Sequence, residues 1–177
     1  HGFVQSDGKI LAAGYTPVGT PAQNEVVLIR LNDNGTPDTT LDTDGVMRSN
    51  PLTPGMAEAY SAGIQSDGKY VTTGYGRLTA ASSDRVDLLS FRYSATGALD
   101  TTWGTSGVFI HDLVDDDRGR NLVVLGDDRV VILGSGSTAL DTIDPMALVL
   151  TKNGALDTSF DTDGYKLFDQ GSPDEAF

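Results

Sequence analysis

"FVQSDGKILAAGY" at residues 3–15 returns as "GIQSDGKYVTTGY" at 63–75 and again as "VVLGDDRVVILGS" at 123–135. Each copy sets two apolar runs on either side of a short polar turn, the pattern of a β-hairpin. The register is strict: Asp7, Asp67 and Asp127 are spaced by 60 residues, as are Gly14, Gly74 and Gly134. Asp7-Gly8 and Asp67-Gly68 favour a two-residue hairpin turn with positive φ. In the third copy Asp127-Asp128 stands there, a weaker turn former that still tolerates the left-handed region.

A second motif follows in every unit: "LNDNGTPDTTLDTDGV" at 31–46, "YSATGALDTTWGTSGV" at 93–108 and "LTKNGALDTSFDTDGY" at 150–165. Gly35, Gly97 and Gly154 mark its turn, and Asp38, Asp100 and Asp157 recur at spacings of 62 and 57, so length changes are confined to the connections between motifs. With a last period of 57 between Gly107 and Gly164, three periods account for all 177 residues. The ends also continue one another: "DEAF" at 174–177 read into "HGFVQS" at 1–6 parallels "AEAYSAGIQS" at 57–66. The chain therefore reads as a piece cut from a longer array or as one that meets another copy end to end. Self-similarity at such a period marks a solenoid, a propeller or another array.

Each unit supplies four strand-like segments. In the third of them Val27, Ile29 and Leu31 share one face, as do Leu89, Phe91 and Tyr93, and Met146, Leu148 and Leu150. A period of two sends such a row toward a neighbouring sheet. The alternate positions, Leu28 and Arg30, Ser90 and Arg92, Ala147 and Val149, are partly apolar, so the second face is expected to be covered in places. No 3.6-residue pattern intervenes. The predicted fold is all-β: β-propeller blades, three four-stranded antiparallel units of about 60 residues at 1–60, 61–120 and 121–177, forming one continuous repeat domain. Three blades fall short of the usual ring of roughly 4 to 8. The expected partners are further repeats of the same array or a second copy.

The paired motifs resemble the delta-sixty tandem repeat, a family of bacterial β-propeller-type repeats found in large secreted or surface proteins. By that resemblance Asp7, Gly8, Lys9, Gly14, Gly35, Asp38 and Gly45, with their counterparts, carry the repeat pattern. The resemblance implies an extracellular or cell-surface location and a scaffold without assigned chemistry. Two positions depart from the pattern: the Asp127-Asp128-Arg129 turn, and Leu41 where Trp103 and Phe160 place an aromatic.

Composition narrows the function. Twelve Lys and Arg against 25 Asp and Glu give a net charge of -13, which repels phosphate backbones and argues against nucleic acid. No apolar run reaches the ~18 residues of a bilayer-spanning helix, so membrane insertion of this stretch is not expected. The absence of Cys removes thiolate chemistry and zinc-cysteine sites.

Asp42 and Asp44, with Asp161 and Asp163, are the candidate calcium ligands, because hard cations take clustered oxygens. They lack the ligand spacing of an EF-hand, and Gly104 and Ser106 replace them in the middle unit. Asx-turns are the competing reading. Otherwise no cofactor is expected. "HDLVDDDRGR" at 111–120 gathers His111, Asp112, Asp115, Asp116 and Asp117, but His111 and Asp112 point to opposite faces of a strand, and the later acids read as a solvated connection between blades. Trp103, Phe160, Tyr15 and Tyr75 are candidate sugar platforms or, more in keeping with aromatics generally, anchors buried between blades.

In a meander alternate connections share an edge, so the two repeated turns lie on one rim. The irregular loops 16–25, 76–85 and 136–145 lie on the other, the candidate recognition rim. The expected function is a non-catalytic scaffold that binds protein or glycan. The alternatives are a polysaccharide-acting hydrolase or lyase whose site forms in the full ring, and a self-assembling fibre subunit.

Overall fold

The structure, a computed structural model, describes residues 1–19, 23–81, 85–140 and 142–169. Three four-stranded antiparallel sheets follow one another along the chain. The first holds β1 (Gly2–Val4), β2 (Ile10–Val18), β3 (Gln23–Leu31) and β4 (Val46–Ser49). The second holds β5 (Met56–Ile64), β6 (Tyr70–Arg77), β7 (Asp87–Tyr93) and β8 (Val108–His111). The third holds β9 (Arg118–Val124), β10 (Val130–Gly136), β11 (Asp144–Leu150) and β12 (Tyr165–Leu167). Each is a simple meander, and the described residues contain no helix. Unit limits at 60/61 and 120/121 fall inside β5 and β9, because each blade opens with the strand that feeds its first hairpin turn. The 174–177 segment and parts of the three irregular loops lie outside the described residues.

The hairpin turn differs from the two-residue form that Asp-Gly favours. Gln5 and Lys9 are joined by a bond from the Gln5 N–H to the Lys9 carbonyl at 2.7 Å, and the Gly8 N–H donates to the Gln5 carbonyl at 3.0 Å. Ser6, Asp7 and Gly8 thus form a three-residue loop with only Gly8 left-handed, at φ 86°. This is a type I turn closed by a left-handed residue. Asp7 stays on the right-handed side because its carboxylate accepts the Lys9 N–H at 3.1 Å. Residues 65–69 and 125–129 repeat the geometry, with Asp128 left-handed at φ 68°. The second motif uses the same turn, closed by Gly35, Gly97 and Gly154.

The alternating rows decide how the sheets stack. Leu89, Phe91 and Tyr93 of β7 face the first blade, in a core with Leu11, Val26, Leu28, Leu41 and Met47. Leu88 lies on the opposite face with Val71, Trp103 and Phe109, in a second core with Ile132, Met146, Leu148 and Leu150 of the third blade. Each blade therefore has a leading face toward its predecessor and a trailing face toward its successor. At both junctions a trailing side chain from the second motif fills the space over a glycine. Leu41 lies over Gly97, and Trp103, fully buried, lies over Gly154. A Cβ at Gly154 would meet the indole at 2.5 Å, so only glycine accommodates this anchor. β5 packs against both β1 and β9, which puts the first strand of each blade on the inside of the curve.

Candidate functional site

The repeated-turn rim holds the densest charge. Asp38 turns its Oδ1 to the Thr40 N–H and hydroxyl, at 3.1 and 2.7 Å, and its Oδ2 to Lys9 Nζ at 2.8 Å and Arg30 Nε at 2.7 Å. Asp100 repeats the arrangement with Thr102, Lys69 and Arg92. In the third blade Val149 stands where the first two blades have Arg, and Arg129 alone reaches both Asp127 and Asp157. The clusters also tie the blades together. Arg30 donates across the junction to the Tyr70 hydroxyl at 2.6 Å and the Ala95 carbonyl at 2.7 Å, and Arg92 donates to the Lys152 carbonyl at 2.8 Å. With every oxygen occupied, these carboxylates are structural.

Of the four candidate calcium ligands, Asp44 and Asp163 serve their own turns. Asp44 accepts the Val46 N–H at 2.8 Å, Asp163 accepts the Tyr165 N–H at 3.2 Å, and Asp161 pairs with Lys166 at 2.7 Å. The backbone N–H of Asp42 donates to Thr96 of the next blade. Among the described residues no three His, Cys, Asp or Glu side chains converge as a metal-binding group. Asp128 gains a role that its turn position alone does not reveal. Its carboxylate accepts the Ser66 N–H and hydroxyl, at 2.7 and 2.6 Å, and so clasps the second blade to the third.

Asp115, Asp116 and Asp117 do not form a solvated connection, since none of them is exposed. Asp117 is fully buried and accepts the Leu113 N–H at 2.6 Å and the Ser137 N–H at 3.2 Å, stapling the link between blades. Asp116 accepts the Val86 N–H at 3.0 Å and pairs with Arg118. His111 is buried with its ring 4.6 Å from that of Tyr165, and burial lowers its pKa. The backbone needs these acids to satisfy N–H groups where the chain leaves one sheet for the next.

These environments fix a pH profile. The Lys9 hydrogen bond, with Thr40 and Arg30, outweighs burial and holds the Asp38 carboxyl well below its ordinary value. Burial raises Asp100, but Thr102, Lys69 and Arg92 overcome it and leave that carboxyl equally low. Their stabilisation is complete above the ordinary value of 3.8 and is lost as pH falls below it. On the other side burial, reinforced by the Asp112 and Asp116 carboxylates, lifts Asp87 to about 6, and burial outweighs the Leu113 and Ser137 N–H bonds to lift Asp117 to about 7. Neutral in the fold, these two stabilise it at low pH, and that contribution is lost as pH rises through 6 and 7. The melting temperature is therefore expected to peak near pH ~4, at the ordinary carboxyl value, and to fall on both sides, the loss at higher pH being complete by about pH 7. Calorimetry across the range checks this, and Asp117→Asn should flatten the alkaline limb. A melting temperature that climbs steadily into the alkaline range contradicts the assignment.

The opposite rim carries a different chemistry at its inner end. Tyr15 on β2, Tyr60 on β5 and Tyr75 on β6 form a row with ring centroids 5.9 and 5.1 Å apart. The Tyr60 and Tyr75 hydroxyls are 2.7 Å apart, and Tyr60 donates to Glu58 at 3.0 Å. Asn24 Nδ2 donates to the other Glu58 oxygen at 2.5 Å. Arg120 lies over the Tyr60 and Tyr75 rings at 5.4 and 5.8 Å, and Arg118 over Tyr75 at 5.6 Å. Burial lifts both Tyr60 and Tyr75 above the ordinary phenol range, so both remain neutral hydroxyls. Tyr15 is 48% exposed and is no anchor between blades; Trp103 has that role. The sequence flagged Tyr15 and Tyr75 but not Glu58, Tyr60, Arg118 or Arg120. Its only hint was that Tyr15 and Tyr75 occupy one repeat position, which leaves the residue between them unread. A cleft of about 390 Å³ opens on the same rim among Gln23, Glu25, Asn50, Pro54 and Ala80.

Strands, turns and stacked sheets of this kind have a counterpart among known families. Residues 5–41 match a domain of unknown function, DUF5122, described as a beta-propeller. The matched stretch runs from the first hairpin turn through β2 and β3 to Leu41, the trailing anchor of the first blade. The same two motifs recur in the second and third blades, so the propeller reading extends over the chain by its own repetition. No curated protein matches the chain.

Proposed function

We propose that this chain is a non-catalytic propeller-repeat scaffold of a secreted or cell-surface bacterial protein, and that it binds a glycan along the Tyr15–Tyr60–Tyr75 row. The carrying observation is the row itself: aromatic faces beside an oriented carboxylate and two guanidinium groups on the inner strands. A sugar ring has an apolar face and a rim of hydroxyls. The exposed face of Tyr15 suits the first, and the half-buried Asn24 amide, oriented by the buried Glu58, suits the second. The location rests on the resemblance to surface-protein repeats. The scaffold reading is preferred to an enzyme because the shifted carboxylates lie apart. Asp38 and Asp100 are locked in ion pairs on one rim, while Asp87 opens β7 and Asp117 sits in the connection between blades. Neither group joins Glu58.

The test is saturation-transfer NMR of the chain against a panel of soluble neutral and uronate-containing oligosaccharides. Transfer to at least one is expected, with Tyr15→Ala weakening it at least tenfold and leaving the melting temperature unchanged, since Tyr15 is half exposed. Binding indifferent to Tyr15→Ala, or silence across the whole panel, would remove this reading.

A further inference from the structure

The two internal junctions follow one rule, and the two outer faces fit the same rule when turned toward each other. At the first junction Gln5 and Arg30 on the trailing face meet Tyr70 on the leading face, with bonds of 2.9 and 2.6 Å to its hydroxyl. At the second, Gln65 and Arg92 meet Val130, and their donors turn instead to the Asp128 and Lys152 carbonyls. Position by position, the trailing face of the third blade carries Leu125 and Val149 in place of Gln and Arg. It offers no polar clamp and calls for an apolar residue opposite. The leading face of the first blade carries Ile10 at the position of Tyr70 and Val130, and Ile10 is 38% exposed.

The anchor and socket also remain free at these ends. Phe160 occupies the trailing position of Leu41 and Trp103 but is only half-buried. Gly35, the counterpart of Gly97 and Gly154, has no described neighbour within 4 Å of a built Cβ, whereas Gly154 meets Trp103. Val4, Ile10 and Ile29 are exposed on the leading side, and Val123 and Leu133 on the trailing side. The counterparts of Val123 and Leu133 in the first blade, Phe3 and Ala13, pack into the first junction.

From this continuity we infer that the trailing face of the third blade seats on the leading face of the first blade of a second copy, with Phe160 over Gly35 and Ile10 against the half-buried Leu125. Two copies in this arrangement close a ring of six blades, within the usual range of roughly 4 to 8. The internal junctions also supply a backbone marker. The Asp42 N–H donates to the Thr96 carbonyl at 3.2 Å and the Gly104 N–H to the Asn153 carbonyl at 2.9 Å, so the Asp161 N–H of one copy is placed on the Asn34 carbonyl of the other.

The chain lacks Cys, which makes a crosslink unambiguous. Sedimentation of the unaltered chain at several concentrations should give twice the monomer mass. The Asn34→Cys, Asp161→Cys variant should oxidise to a covalent dimer, with Asp42→Cys, Thr96→Cys as the internal control that the geometry accepts a disulfide. Ile10→Glu places a carboxylate in the apolar contact and should raise the dissociation constant at least a hundredfold. Three results would overturn the inference: a single-chain mass at high concentration with no crosslink, a ladder of ever larger species, or a dimer that Ile10→Glu leaves intact.

Discussion

Trp103→Ala should cost about 3–5 kcal/mol of stability, the largest loss expected from any one apolar truncation in this chain. The indole is fully buried at the junction of the second and third blades, beneath the Arg92 guanidinium 4.9 Å from its ring and above Gly154. Glycine cannot fill the space from below, and β8 is held in its sheet by the ladder to β7, so the site collapses little. Trp103→Phe should cost far less, because the third blade carries Phe160 at the same position and the indole N–H has no acceptor among the described residues. Because a repeat array is stabilised by intrinsic and nearest-neighbour contributions, loss of the anchor should also split the urea transition, with the third blade unfolding first. A single transition shifted by less than about 1 kcal/mol would show that the anchor position is not what couples these blades.

The second large effect separates two carboxylates that look alike in sequence. Asp38→Asn should cost about 3–5 kcal/mol, whereas Asp157→Asn should cost far less. In both variants the remaining amide oxygen can keep the turn bonds to residues 40 or 159. The difference lies in the cation. Arg30 has a 5% exposed side chain, and without Asp38 its charge is held out of water with no anion to meet it. The Arg129 side chain is 40% exposed and still pairs with Asp127. Equal losses from the two substitutions, measured by equilibrium denaturation, would mean that Arg30 is hydrated in spite of its burial.

Much of the fold was readable without coordinates, and the reason is local. Turn chemistry at Asp7-Gly8 and Asn34-Gly35 places hairpins, and the alternation along Leu89, Phe91 and Tyr93 defines a sheet face. Both signals act over a few residues, and threefold repetition protects them from chance. The turn type was misread for an equally local reason. Asp-Gly favours the two-residue form, but here the Asp7 carboxylate captures the Lys9 N–H and holds Asp7 on the right-handed side.

The candidate site was less legible because its members come from different blades. Tyr15 and Tyr60 are 45 residues apart, and Asn24 and Glu58 are 34 apart; they meet only when one blade stacks on the next. The same limit applies to Asp117. Its place in an acidic run reads as solvated, but it lies where two backbone N–H groups are left without strand partners, so it is drawn inside.

The sequence by itself determined three four-stranded units, their hairpins and the two faces of each sheet, because these follow from turn residues and a period of two. Only the tertiary structure decided which face meets which neighbour and which of the repeated carboxylates is sealed against an arginine. It also decided that Asp128 clasps Ser66 and that three tyrosines line up on the inner strands. Those outcomes depend on how residues about one period apart share a junction, and burial, which sets the strength of every charge and hydrogen bond there, does not exist until the blades stack.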